Sequence, residues 1–205
     1  DFAQHLEGFN QVFTDAGLTA RLPREEHDVA WPRHARVRDL LAMTSGLVTD
    51  DAWADRHLDL TDDEFDAIVA RGCVFGEPTG VAYEYSNFGF AVLGRVVQRA
   101  SGHCIQELIS TRLLPPLGMT RSTWVEPDHD DWARPLRWQD DEFVDEGHPT
   151  PGDGLIAPMG GIWTTAADLA RWVSWLDDAF PARDDLDAGP LSRASRREMQ
   201  TIQRN

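Results

Sequence analysis

Lysine is missing from this chain, and all 19 of its basic residues are arginine. A guanidinium stays protonated in proteins. No side-chain amine within these 205 residues can therefore shed a proton near neutral pH and activate a neighbouring nucleophile. Cysteine is scarce as well. Cys73 and Cys104 are too few for a disulfide framework and read as small buried hydrophobes, with a single bridge as the other option. The compartment stays open, with a lean to the cytoplasm. There is no Cys-x-x-Cys and no histidine pair at the spacing of a zinc helix, so no metal is expected, and His129-Asp130-Asp131 reads as a loop. There is no Gly-x-Ser-x-Gly either, which speaks against a Ser-His-Asp hydrolase. No apolar run approaches the length of a membrane span, and no basic-then-apolar leader opens the chain.

What is abundant is acid. The formal charge of -16 argues against nucleic acid and against anionic membrane surfaces as partners, since both attract basic patches. Clusters such as Asp50-Asp51 and Asp184-Asp185 read as a solvated acidic surface. A hydrophobic content of 41% with eight tryptophans is enough for one packed core. No internal repeat or low-complexity linker divides the chain, so residues 1–205 are read as a single domain.

Helical patterns dominate. Phe2, Leu6, Phe9 and Phe13 recur at helical spacing, and a polar, proline-bearing stretch follows over 22–32. The run 37–43 reads as a short helix stopped by Thr44-Ser45-Gly46. Thr61-Asp62-Asp63-Glu64 has capping-box form and opens a helix carrying Phe65, Ile68 and Val69 as far as Gly72. Phe90, Leu93 and Val97 mark a buried helix over 87–100, closed by Gly102. Further helices are predicted over 104–113, ended by Pro115-Pro116, over 165–180 and from Ser192 to Gln200. Residues 121–144 are loop-rich, and Thr123-Trp124-Val125 and Pro135-Leu136-Arg137-Trp138 are short strands or merely extended.

Tyr85-Ser86-Asn87 has two readings. Lying after a turn and at a helix start, Ser86 or Asn87 caps the helix while Tyr85 packs. Alternatively the phenol of Tyr85 and the amide of Asn87, two residues apart, project into a cleft. Gly160-Gly161 suits a tight turn or a cleft wall, because paired glycines permit positive φ and close backbone approach.

Four segments, in order, carry a resemblance: Val37 to Leu47 with its Thr44-Ser45-Gly46-Leu47 turn; Pro78-Thr79-Gly80 with Tyr83-Glu84-Tyr85-Ser86-Asn87; Leu113-Leu114-Pro115-Pro116-Leu117-Gly118-Met119-Thr120; and Gly160-Gly161-Ile162-Trp163-Thr164-Thr165-Ala166-Ala167-Asp168-Leu169-Ala170. Together they resemble the serine β-lactamase and penicillin-binding-protein superfamily, in particular its class C β-lactamase-like esterase and peptidase branch. The resemblance implies an α+β β-lactamase/transpeptidase-like fold, an antiparallel sheet with flanking helices and a helical lobe. This chain would be mainly the lobe, with little of the sheet. It implies hydrolysis of an amide or ester through an acyl-serine, without metal or organic cofactor, on a small-molecule or peptide-like substrate. Tyr85 would shuttle protons, Asn87 would orient the substrate, and Ser86, Gly160 and Gly161 would border the site structurally.

Two expected elements do not occur. None of the eight serines opens a Ser-x-x-Lys, so no nucleophile can be named, and the Lys/His-x-Gly strand motif is absent too. Two expectations follow: a fragment or internally deleted form of a longer hydrolase, inactive alone, or a noncatalytic binding relative of the same fold.

Overall fold

The computed structural model describes residues 35–49, 60–70, 75–128, 131–134, 136–145, 154–155, 157–182, 187 and 189–203. The expected opening helix, the 22–32 stretch, Gly72, Cys73 and His129-Asp130 lie outside them. Along the chain run α1 (Val37–Leu41), α2 (Asp62–Ala70), α3 (Asn87–Ser101) and α4 (Ile105–Leu108), the last widening into a π-helical turn over Ile109–Leu113. A hairpin of β1 (Leu136–Gln139) and β2 (Glu142–Asp145) follows, then a 3-10 turn at Ala157–Met159, α5 (Ala166–Asp177) and α6 (Arg193–Met199).

Most of the predicted boundaries carry their predicted chemistry. Thr61 and Glu64 exchange reciprocal bonds before α2, the Thr61 N–H to Glu64 Oε2 at 2.9 Å and the Glu64 N–H to Thr61 Oγ1 at 3.4 Å. Ser86 caps α3 by accepting from the Gly89 N–H at 3.2 Å, and the Gly102 N–H closes it on Gln98 O. Thr165 and Ser192 cap α5 and α6 in the same way. Cys104, at the start of α4, carries a free, half-buried thiol.

The core gathers on one side of α3. Leu40, Leu47, Phe65, Val69, Ala91, Val92, Val96 and Leu155 are buried together, and Phe65 meets Phe88 with ring centroids 5.7 Å apart. Each such Leu or Phe contributes roughly 1.5–3 kcal/mol by leaving water. The buried stripe of α3 differs from the one its large residues predict. Phe90, Leu93 and Val97 are only half-buried, while Ala91, Val92, Gly94, Arg95 and Val96 are covered. Small residues win this face because neighbours come very close. A Cβ on Gly94 would stand 2.4 Å from Pro158 Cγ of the 3-10 turn.

Arg95 is the second reason. It is buried at the centre of an ion-pair cluster that joins α3 to α2. Its Nε donates to Asp66 Oδ1 at 3.0 Å and its Nη2 to Asp66 Oδ2 at 2.5 Å, while Nη1 reaches Asp62. Arg99 adds a bond to Asp66 at 2.6 Å. Burial pushes the Asp66 carboxyl up, but the bond from Arg95 and the charges of Arg95 and Arg99 together outweigh it, and the pKa falls below the ordinary aspartate value. The sign follows from that depression. The cluster stabilises the fold fully above the unfolded carboxylate range and loses that contribution as pH falls below about 4, through the folded pKa. An Asp66→Asn variant should lose about 1–2 kcal/mol at neutral pH, and its stability should fall less steeply on acidification than the parent's. Urea melts at pH 7 and pH 3 measure both; parallel acid slopes would contradict the assignment.

The only sheet among the described residues is the antiparallel hairpin, in the register Leu136↔Asp145 to Gln139↔Glu142. The 121–144 region was expected to be loop-rich. Asp140 and Asp141 turn the chain there with φ of 51° and 63°, the doubly positive geometry that favours a two-residue hairpin. Asp-Asp is a weaker signal for that turn than Asn-Gly, which is why the second strand escapes a sequence reading. Trp138 and Phe143 pair across the strands edge to face at 4.9 Å. Thr123 and Trp163 form an isolated antiparallel bridge instead of a strand pair.

Candidate active site

The Thr44-Ser45-Gly46 turn and the Tyr83–Asn87 segment form one unit. The Gly80 N–H donates to Thr44 O at 2.7 Å, the Thr79 hydroxyl to Ser45 O at 2.8 Å, and the Glu84 N–H to Met43 O at 2.8 Å. The Thr49 N–H reaches Glu84 Oε1 at 3.0 Å, and the Thr49 hydroxyl binds the same oxygen. Gly46 O accepts from the Gly76 N–H at 2.9 Å, beside the Leu47↔Phe75 bridge. Met43 holds φ at 52°, a left-handed conformation costing a residue with a Cβ about 1–2 kcal/mol. Its Sδ accepts from the Tyr83 hydroxyl at 3.3 Å. Backbone strain of this kind tends to gather where a segment must be held in one position.

Tyr85 and Asn87 stand at the end of this unit, where the chain enters α3. Ser86 is buried and spent on the cap, as one of the two sequence readings has it. Tyr85 does not pack, however: it is 47% exposed. Among the described residues no hydrogen bond engages its hydroxyl, nor the half-buried amide of Asn87. The structure thus divides the Tyr-Ser-Asn triplet, the serine inward and structural, the phenol outward.

Gly160 and Gly161 lie elsewhere. Both N–H groups bond to Ala157 O, at 3.0 and 2.8 Å. Neither has a positive φ, so no unusual turn requires them, and close approach applies to Gly161 alone. A Cβ on Gly161 would press on Ala157 at 3.1 Å, whereas one on Gly160 would meet open space. Their 3-10 turn packs on Gly94, seven residues beyond Asn87 and so about 10 Å along α3 from its start. No described hydrogen bond links the glycines to Tyr85 or Asn87.

Sequence reasoning missed two groups that organise these segments. Glu84 is one, through its bonds to Thr49. Asp168 is the other: almost wholly buried, it accepts from the Arg121 N–H and the Ser122 hydroxyl, both at 2.9 Å, and from Arg171 at 2.7 Å. The Thr165-x-x-Asp168 spacing carried a signal for it, as a capping box with aspartate in the last place. Nearby, a cleft of about 430 Å³ is lined by Arg121, Ser122, Trp132, Trp163 and Thr164 among others. Among the described residues no cluster of three or more His, Cys, Asp or Glu is placed to hold a metal ion, and no helix is long and apolar enough to cross a membrane.

With this geometry in view, the relatives fix the class. The sequence profile of the Beta-lactamase family matches residues 4–204, and the chain belongs to that family. It is 28% identical over 104 residues to Beta-lactamase-like protein 2 of Dictyostelium discoideum, a match covering 49% of this chain and 19% of that protein. It is 29% identical over 125 residues to a D-aminopeptidase of Cereibacter sphaeroides, covering 58% and 22%. The octameric penicillin-binding protein homologue from Pyrococcus abyssi superposes with a TM-score of 0.65 at 21% identity, over 96% of this chain and 47% of that one. The fold is therefore β-lactamase/transpeptidase-like, and this chain is mainly its helical lobe. It spans about half of that structural neighbour and matches about a fifth of each of the two sequence relatives.

Proposed function

We propose that this chain is the helical lobe of a serine hydrolase that cleaves an amide or ester through an acyl-serine intermediate, with Tyr85 as the proton-shuttling residue and Asn87 orienting the substrate. The observation that carries the reading is the outward, half-exposed Tyr85, next in sequence to a Glu84 bonded to the 43–49 turn, in a chain of this family. A phenol in that position can pass a proton between a nucleophile and a leaving group, and the adjacent amide can accept from or donate to a substrate amide. The Cereibacter relative's name makes a peptide-like substrate the first to try. The nucleophilic serine and its lysine lie outside these 205 residues, so this chain alone should neither turn over nor label with a fluorophosphonate.

In the protein that carries the Ser-x-x-Lys element, Tyr85→Phe should lower kcat by about 100-fold or more with little change in folding. Steady-state kinetics on D-amino-acid amides and simple esters test this. A second reading, a binding protein on the same lobe, is favoured by the lack of lysine. The intact mass of the protein from its native source separates the two. A larger mass carrying Ser-x-x-Lys supports the hydrolase, and a mass equal to these residues supports the binding protein.

A further inference from the structure

We infer that the Glu84–Thr49 pair is the positioning device for Tyr85, an assignment that rests on the proton-shuttling role proposed above. Residues 83–86 alternate in exposure: Tyr83 and Tyr85 are exposed, Glu84 is half-buried and Ser86 buried. That is the alternation of an extended chain, with successive side chains on opposite sides. The two inward residues bracket Tyr85 and both are anchored. Ser86 is fixed by its cap on the Gly89 N–H. Glu84 is held twice over, by its own N–H on Met43 O and by its carboxylate on the N–H and hydroxyl of Thr49. All of its partners belong to one turn, residues 43–49. Tyr85 is therefore aimed by its neighbours and not by a described hydrogen bond of its own hydroxyl.

A carboxylate suits this task better than a neutral acceptor. One oxygen takes two donors from a single residue, and charge shortens and strengthens such bonds. Thr49 is exposed and Glu84 only half-buried, so the pair adds little to global stability and its loss should leave the fold intact. Its effect is geometric. A misplacement of about 1 Å at a group that must meet reacting atoms costs on the order of 100-fold in rate.

The test uses two readouts. In the protein carrying the Ser-x-x-Lys element, Glu84→Ala and Thr49→Val should each lower kcat by about tenfold with KM and the melting temperature nearly unchanged. Glu84→Gln, which keeps an acceptor oxygen, and Thr49→Ser, which keeps both donors, should recover most of that loss. The Glu84→Ala/Tyr85→Phe double variant should be no slower than Tyr85→Phe alone, because a misplaced shuttle and a missing one are the same defect. In the 205-residue chain itself, amide exchange at residues 49 and 84, whose N–H groups are the bonded ones, should rise at least about tenfold in Glu84→Ala while the middle of α3 is unaffected. A parent-like kcat in Glu84→Ala beside a crippled Tyr85→Phe would overturn the positioning role alone. Unchanged exchange would overturn it as well. A fully active Tyr85→Phe would bring down the shuttle reading and this inference with it.

Discussion

Gly46→Ala is expected to cost at least about 3 kcal/mol and to dismantle the turn that holds Glu84, the neighbour of Tyr85. Two independent penalties act at this position. The φ of 84° is left-handed, which costs a residue with a Cβ about 1–2 kcal/mol. The larger penalty is contact. The new Cβ would stand 2.0 Å from Glu77 O and 3.1 Å from Glu77 C, backbone atoms that cannot rotate away as a side chain tip can. The Glu77 peptide is itself tied down, since Gly76 and Glu77 both donate to Gly46 O. Relief requires opening that pair of bonds and the Leu47↔Phe75 bridge beside them. Gly80→Ala is the control. It has almost the same φ, 81°, but a Cβ there meets nothing within 4 Å, so only the conformational penalty of about 1 kcal/mol applies. Equal losses for the two variants in urea denaturation would show that the 76–77 segment simply swings aside.

The segments that made the family legible look weak singly, and the structure explains why they are informative together. The first two, 37–47 and 78–87, are one hydrogen-bonded unit. The second two, 113–120 and 160–170, are linked by the residues that directly follow the first, since Asp168 accepts from Arg121 and Ser122 and Thr123 bridges Trp163. Short-range signals were readable because they are local chemistry: Thr61 and Glu64, the Ser86 cap and Pro115-Pro116 act within a few residues of their own helix ends. The buried face of α3 was not readable in this way. Hydrophobic size points to Phe90, Leu93 and Val97, but the choice was made by Pro158 and by Asp62 and Asp66, residues distant in sequence whose approach no periodicity encodes. The site divides along the same line. Tyr85 and Asn87 could be named only through the resemblance that their flanking segments carry, whereas Glu84 acquires its meaning only from Thr49, 35 residues away.

Asp168→Ala should lose about 3 kcal/mol, because it removes a buried acceptor that three donors share. Of those donors, Arg171 is half-exposed and can return to water, so its own deletion, Arg171→Ala, should cost no more than about 1 kcal/mol. The Arg121 N–H and the Ser122 hydroxyl sit in part-buried surroundings, and among the described residues that hydroxyl would keep Thr164 alone as a partner. The carboxylate also lies in the first turn of α5, where a negative charge favours the helix by about 0.3–1 kcal/mol. Asp168→Asn keeps one acceptor oxygen and the shape of the site while discarding that charge, so it should fall between the parent and the alanine variant. The order Arg171→Ala, Asp168→Asn, Asp168→Ala, from least to most damaging, is the signature of a staple between the turn after Met119 and the start of α5. If Asp168→Ala proves no worse than Arg171→Ala in equilibrium denaturation, the bonds to Arg121 and Ser122 carry no net stability. The 120–123 turn and the 160–170 segment would then be held together by the Thr123↔Trp163 bridge and the bond between the Ser122 and Thr164 hydroxyls.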